Sequence, residues 1–296
     1  MLRTIIKEKY DHEEKQYLNI IKELIKEGDI INGRNGNTLS KNGASMYFSL
    51  ENNKIPVLTT KKMAIKTCIK ELLWFISGDT DNNTLLKQKV YIWKGNANSD
   101  NTKKLNYIDG DLGPIYAHQW RHFNAKYEGC RADYEGKGID QLKSIIDKLK
   151  DPKEKYSRRL ILTAWNPCQI EEMALPPCHI LVQFNVSNKD ELSCSMYQRS
   201  ADMGLGVPFN ILSYSVLTHI IAKHCNLKPK EFIHHIGNAH IYDDHVDNLN
   251  IQILREPYKF PYIEINLRKN IEDYKLEDIK INEYKCHENI ELTMRK

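Results

Sequence analysis

None of the seven cysteines in this 296-residue chain stands in a C-x-x-C pair. Their odd number and scatter argue against a disulfide framework or a zinc knuckle, and for a reducing compartment. The His240, Asp243, Asp244, His245 group lacks an H-E-x-x-H pattern and a remote third ligand, so a metal site is rejected. No apolar run approaches the length that crosses a bilayer. The basic stretch 1–10 lacks the long apolar centre of a secretory signal. There is no internal repeat, no low-complexity linker and no composition shift to mark a domain boundary. The net charge of +4 is too small for a nucleic-acid protein, although it welcomes an anionic ligand. What remains is an ordinary globular composition, 28% charged and 41% hydrophobic, and a cytoplasmic location is expected.

The apolar spacing of Tyr17, Leu18, Ile21, Leu24 and Ile25 predicts a helix that stops at Gly28. Asp29 to Asn42, rich in Asn and Gly, is expected to be a turn or loop, and Ser45 to Leu50 a strand. Helices are predicted over Met63 to Ile76, with Glu71 inside an apolar stretch, and over Ile139 to Leu149, ended by Asp151-Pro152. Gly95 to Gly113 has the polarity of a long surface loop. Strands are expected over Leu160 to Trp165, His179 to Val186 and Leu192 to Tyr197, the last two joined as a hairpin by Ser187-Asn188-Lys189-Asp190. Phe209 to Leu227 is apolar almost all round, which predicts a buried central helix. A short strand, Phe232 to Ile236, a helix, Tyr242 to Ile253, and two tail strands, Tyr262 to Leu267 and Leu276 to Tyr284, complete the chain. Helices and strands mix without strict alternation, so one α+β domain over residues 1–296 is favoured over a doubly wound sheet.

Leu175-Pro176-Pro177-Cys178-His179 places a cysteine on an apolar strand, and Gln198-Arg199-Ser200 places a guanidinium and a hydroxyl on the end of the next. Nearby positive charge favours a thiolate, and an arginine beside a hydroxyl makes a fork for phosphate. Cys178 is a candidate nucleophile, although a small inert core cysteine fits the same pattern. His179 points away from Cys178, since neighbours on a strand face opposite sides. Arg34 and the doubled Arg158-Arg159 add guanidinium groups near element ends, where a solvated edge is the plain alternative. Asn210 opens the predicted central helix, as an N-cap or as a reader of a nucleobase edge. Gly204 and Gly206 lack the third glycine of a dinucleotide loop and are turn glycines. His240 and Tyr242 suit a sugar hydroxyl or a satisfied polar pair, while Lys61-Lys62 and Lys103-Lys104 are expected on the solvated surface.

These stretches occur together with Glu71-Leu72-Leu73-Trp74-Phe75, Ile92-Trp93, Asp111-Leu112-Gly113-Pro114-Ile115-Tyr116, Gln119-Trp120-Arg121-His122-Phe123 and Gly206-Val207-Pro208-Phe209-Asn210. In that order, over nearly the whole chain, the sequence resembles the thymidylate synthases. The resemblance implies a mixed β-sheet packed with helices and a homodimer formed through the sheet. It implies methylation of dUMP to dTMP, with 5,10-methylenetetrahydrofolate giving both the carbon and the hydride. Cys178 would add to C6 of the uracil. Arg199, Ser200 and Arg34 would clamp the phosphate, joined by Arg158 and Arg159 of the partner subunit, with Gln198 also in the nucleotide site. Asn210 would pair with O4 and N3 and so favour dUMP over dCMP, and His240 and Tyr242 would hold the 3′-hydroxyl. Glu71, Tyr116 and His179 would order the water that moves protons, and Asp202, Ile92, Trp93 and Gly206 would hold the folate.

Four features depart from the family pattern. The arginine loop Gly33-Arg34-Asn35-Gly36-Asn37-Thr38 is one residue short, Lys94 follows Trp93 in place of an acid, Asn185 follows Phe184 in place of an aromatic, and Met294-Arg295-Lys296 stands where a small or apolar end closes the site. Some family members are fused to dihydrofolate reductase; this sequence has no room for it, so recycling of dihydrofolate elsewhere is expected. Two other readings stay open: a pyrimidine-nucleotide hydroxymethylase, and a catalytically silent nucleotide- or RNA-binding protein.

Overall fold

The computed structural model describes residues 11–33 and 35–295. Its elements, in chain order, begin with α1 (Glu14–Glu27), β1 (Asp29–Gly33), β2 (Gly36–Ser49), α2 (Ile65–Ser77), α3 (Asn82–Lys87), α4 (Lys94–Ala97), α5 (Asp100–Lys104), α6 (Tyr116–His122) and α7 (Gln141–Lys150). They continue with β3 (Ile161–Thr163), β4 (His179–Val186), β5 (Glu191–Asp202), α8 (Gly206–His224), β6 (Lys228–Tyr242), α9 (Val246–Gln252), β7 (Tyr262–Ile265) and β8 (Ile279–Asn282).

The main sheet has the order β1-β2-β6-β5-β4-β3. Only the central β5–β6 pair is parallel, so the sheet is mixed and the architecture is α+β. Alternation along the strands separates its two faces. Leu162, Val182, Met196, His234 and Met46 form one buried row across β3, β4, β5, β6 and β2, on the face covered by helices. The neighbouring row, Thr163, Leu181, Tyr197, His235 and Ser45, looks outward, with Leu181 38% and Tyr197 41% exposed. Helix α8 is buried nearly all round, from Val207 to Ala222, and packs on β5 and β6. No helix among the described residues is long and apolar enough to cross a membrane.

Several local expectations are corrected by tertiary pairing. Asp29 to Asn42 is not a loop: β1 and β2 form a hairpin, and β2 also pairs along β6 from Thr38↔Tyr242 onward. Asn and Gly are tolerated there because β1 is an exposed edge and Gly36 takes φ +121° beside the turn. Gly95 to Gly113 is not a continuous surface loop. It contains α5, capped by the Ser99 hydroxyl accepting from the Thr102 N–H, and buries Asp111 and Leu112. The short strand expected at Phe232 is the centre of the 15-residue β6, which runs through His240 to Tyr242. A 3-10 turn, Asp243–His245, separates it from the short α9.

Candidate active site

Pro176 and Pro177 lead into β4, and Cys178 sits immediately before its first residue. The Cys178 N–H donates to the Tyr116 hydroxyl at 2.6 Å, and the Cys178 carbonyl accepts from the Arg199 N–H at 2.8 Å. The nucleophile candidate is thus held by the start of α6 on one side and by β5 on the other. The Arg199 guanidinium donates through Nε to the Pro177 carbonyl at 2.8 Å and through Nη2 to Pro176 at 3.1 Å, and it lies 5.4 Å from the centre of the Trp165 ring. Burial pushes the Cys178 thiol up, while Arg199 pulls it down. Burial wins, so the expectation of a thiolate held by positive charge is replaced by a protonated thiol with Arg199 beside it.

His179 turns to the opposite side, as strand alternation requires. Its ring stacks on Tyr116 at 4.0 Å, and its Nδ1 meets the Tyr214 hydroxyl at 2.5 Å. Burial lowers its pKa to about 3, so the imidazole is neutral. Phe75 on α2 packs against Tyr116, Trp93 and His179 at ring separations of 5.0, 6.3 and 6.4 Å. One turn earlier on that helix, Glu71 accepts from Trp93 Nε1 at 2.7 Å. Burial raises the Glu71 pKa to about 7, against the pull of the Trp93 hydrogen bond. A carboxyl poised at neutral pH suits general acid–base work.

The ends of β5 and β6 supply a third group. Asp202 lies beside His240 in the parallel register, and its Oδ1 accepts from the N–H groups of Gly204 and Leu205 at 2.8 and 3.3 Å. Gly206 opens α8, and a methyl group there would make only ordinary contacts, 3.8 Å from both the Asp202 Cβ and the Asn210 Oδ1. Asn210 falls in the second turn of α8, not at its N-cap, and its side-chain amide makes no hydrogen bond among the described residues. His240 Nδ1 pairs with Asn238 Oδ1 at 3.0 Å, and the His240 and Tyr242 rings meet edge to face at 5.8 Å. Gln198 is buried, with one end on His234 and the other on the Ser200 carbonyl, each at 2.9 Å. Ser200 is opposite Asn238 and half-buried. No group of three or more His, Cys, Asp or Glu able to hold a metal occurs among the described residues.

A profile of the thymidylate synthase family matches residues 15–296. The chain belongs to the thymidylate synthase family. It is 50% identical to the thymidylate synthase of Saccharomyces cerevisiae over 296 residues, covering 95% of this chain and 97% of that protein. It is also 50% identical to the bifunctional dihydrofolate reductase-thymidylate synthases of Zea mays, over 96% of this chain and 55% of the relative, and of Plasmodium chabaudi, over 96% and 49%. The chain therefore spans about half the length of these bifunctional relatives.

Of the residues that the thymidylate synthase resemblance singles out, the fold brings Cys178, Tyr116, His179, Arg199 and Glu71 into one aromatic-walled group. Asp202, Gly206, Asn210, His240 and Tyr242 gather at the adjoining strand ends. Ile92 lines a cavity of about 600 Å³ with Tyr91, Lys94, Asn96, Met294 and Arg295, whereas Trp93 is buried against Glu71. Arg158 and Arg159 are exposed. Among the described residues no side-chain hydrogen bond or ion pair joins them to the Cys178 group, although the Arg158 carbonyl accepts from Gln183 on the outward face of β4. Arg34 lies outside the described residues. Lys61 corrects the surface expectation: it is buried, donates to the Gly204 carbonyl, and its pKa is lowered to about 8 by burial. Nothing in Lys61-Lys62 distinguishes it from its exposed neighbour. Tyr214, the partner of His179, also escapes a sequence reading, because α8 shows only an apolar surround.

Proposed function

We propose that this chain converts dUMP to dTMP, taking both the one-carbon unit and a hydride from 5,10-methylenetetrahydrofolate and releasing dihydrofolate. The observation that carries the reading is Cys178 fixed between Tyr116 and Arg199, with Glu71, poised near 7, on the same aromatic cluster. The Cys178 sulfur bonds to C6 of the uracil as the thiol gives up its proton, and C5 becomes an enolate-like nucleophile. C5 bonds to the one-carbon unit as the bond from that carbon to folate N10 breaks, and C5 then loses its proton through the group around Glu71, Tyr116 and neutral His179 as the carbon–N5 bond breaks and frees tetrahydrofolate. Hydride from that tetrahydrofolate reduces the resulting exocyclic methylene to methyl, the S–C6 bond breaks, and the tetrahydrofolate, so oxidised, leaves as dihydrofolate.

Asn210, whose amide makes no hydrogen bond among the described residues, is assigned to O4 and N3 of uracil, an edge that takes one donor and one acceptor side by side. Arg199, Ser200, Gln198 and Arg34 are assigned to the phosphate end, His240 and Tyr242 to the sugar, and Asp202, Gly206, Ile92 and Trp93 to the folate, which the cavity beside Ile92 has room to accept in part. A homodimer through the outward face of the sheet is supported by the exposed Leu181 and Tyr197 on that face. It would let the exposed Arg158 and Arg159 reach the phosphate of the partner subunit's nucleotide. The seven unpaired cysteines support a reducing, cytoplasmic setting for this one catalytic domain.

The test is a spectrophotometric assay of dihydrofolate formation from dUMP and methylenetetrahydrofolate, with dCMP in parallel and Cys178→Ala as control. Dihydrofolate with dUMP alone, abolished in the variant, is the expected result. Equal turnover of dCMP would overturn the Asn210 assignment, and turnover by Cys178→Ala would overturn the nucleophile.

A further inference from the structure

Tyr214 stands one turn beyond Asn210 on α8 and is 2% exposed. Its ring stacks on Phe232 at 6.0 Å, with planes 8° apart, and meets Trp120 edge to face at 6.4 Å. Burial, with Cys194 and Glu71 nearby, pushes its phenol well up, so the hydroxyl keeps its hydrogen. That hydroxyl has one hydrogen-bond partner among the described residues, His179 Nδ1 at 2.5 Å. His179 is held in turn by Tyr116, stacked at 4.0 Å, and by Phe75 at 6.4 Å. Burial keeps the imidazole neutral, so one ring nitrogen carries a hydrogen and the other a lone pair.

Two arrangements fit the contact. With the hydrogen on Nδ1, the imidazole donates to the Tyr214 oxygen, and the phenol hydrogen is left buried without an acceptor. With the hydrogen on Nε2, the phenol donates to Nδ1 and nothing at the contact is stranded. Nε2 makes no hydrogen bond among the described residues, so it favours neither. A stranded buried donor weights an equilibrium by about five- to 150-fold, which decides for the second arrangement.

We propose that Tyr214 is a positioning residue, whose hydroxyl donates to His179 Nδ1 and fixes the His179 hydrogen on Nε2. Within the proton-moving group, His179 then gives a hydrogen bond and does not act as the base. A neutral imidazole that donates in this way stabilises the negative charge that develops on the uracil when Cys178 adds. Donation from the phenol polarises the ring and strengthens the hydrogen bond that Nε2 gives. This kinetic consequence rests on dUMP methylation at the site; the tautomer does not.

The first measurement is nitrogen-15 NMR of the ring nitrogens in the whole chain labelled at histidine, with the His179 signals assigned from His179→Gln. Nε2–H should exceed Nδ1–H by at least about fivefold in the natural chain. Tyr214→Phe should lower that ratio by at least about fivefold, with the other histidine signals in place to report the fold. A natural chain in which Nδ1–H dominates would overturn the assignment without any variant, as would an unchanged ratio in Tyr214→Phe. The second measurement is turnover of dUMP. Tyr214→Phe should lower kcat by about two- to tenfold, the worth of one neutral hydrogen bond, with KM for dUMP unchanged, because the donor acts on charge that develops after binding. A rise in KM alone, or no change in either constant, would overturn the donor role. If the natural chain does not turn over dUMP, the methylation reading fails, while the NMR result still decides the tautomer.

Discussion

Arg199 Nε donates to the carbonyl of Pro177 at 2.8 Å, so a cation beside Cys178 is fixed by the backbone that delivers Cys178. A second donation, from Nη2 to Pro176, orients the guanidinium plane, and Nη1 makes no hydrogen bond among the described residues. Lysine offers a point charge without the planar fork. Arg199→Lys is therefore expected to weaken dUMP binding by about 10- to 100-fold, on the scale of lost charge-assisted hydrogen bonds, with the fold intact. Titration calorimetry with dUMP, beside a thermal melt, checks both halves.

Glu71 holds its proton up to about pH 7 in the fold and releases it near 4.5 when unfolded. Between those values the folded chain binds more protons. The stability from this group is therefore complete below 4.5, falls as pH rises, and is lost above about 7. Urea midpoints measured from pH 5 to 8 should show this downward slope, and Glu71→Gln should flatten it. The same substitution is expected to lower kcat by about 10²- to 10⁴-fold, the usual worth of a positioned acid or base.

Trp93 opposes the upward shift of Glu71 by donating to its carboxylate. Trp93→Phe removes that donor, so the kcat–pH limb assigned to Glu71 should move to higher pH by up to about one unit. A limb that stays in place would mean that another group titrates in the rate.

Glu14 is fully buried and accepts from the N–H and hydroxyl groups of both Thr59 and Thr60. Glu14→Ala strands all four donors and should cost about 3–5 kcal/mol of unfolding free energy. Glu14→Gln, which keeps one acceptor oxygen, should cost less. Denaturant unfolding of the two variants ranks them.

Gly113 has φ +73°, and a methyl group there would stand 2.1 Å from the Glu172 carbonyl oxygen. That oxygen is held by Tyr107, whose hydroxyl donates to it at 2.7 Å. Gly113→Ala should therefore destabilise by more than about 2 kcal/mol through strain and displacement together. The melting temperature reads this directly.

If sites are shared across a homodimer, Arg158→Ala and Cys178→Ala fail in different parts of each site. Mixed dimers of the two should regain activity that neither has alone, because one of their sites is intact. No recovery in verified heterodimers would count against the partner role of Arg158 and Arg159.

The buried helix α8, the β4–β5 hairpin and the helix carrying Glu71 were legible from apolar spacing, because each buries a large surface along its own length. The Asp29 to Asn42 hairpin was not. Its Asn- and Gly-rich segment is held as strand by pairing with β6, about two hundred residues on, and local propensity cannot register such a partner. Lys61 shows the same limit for charge: an identical neighbour is exposed, and only the packing around Gly204 decides which of the two is buried.

The sequence by itself determined the chemical inventory. A cysteine behind two prolines, an arginine-serine pair, an amide near the central helix start and a carboxyl within an apolar helix could all be named from residue types and order. Tertiary structure alone decided how these groups behave. It raised the Cys178 thiol against Arg199, set Glu71 near 7, made His179 neutral, and closed Arg295 onto Asp243 and Asp244. Each outcome depends on water removed and on partners distant in sequence, and both are properties of the packed chain.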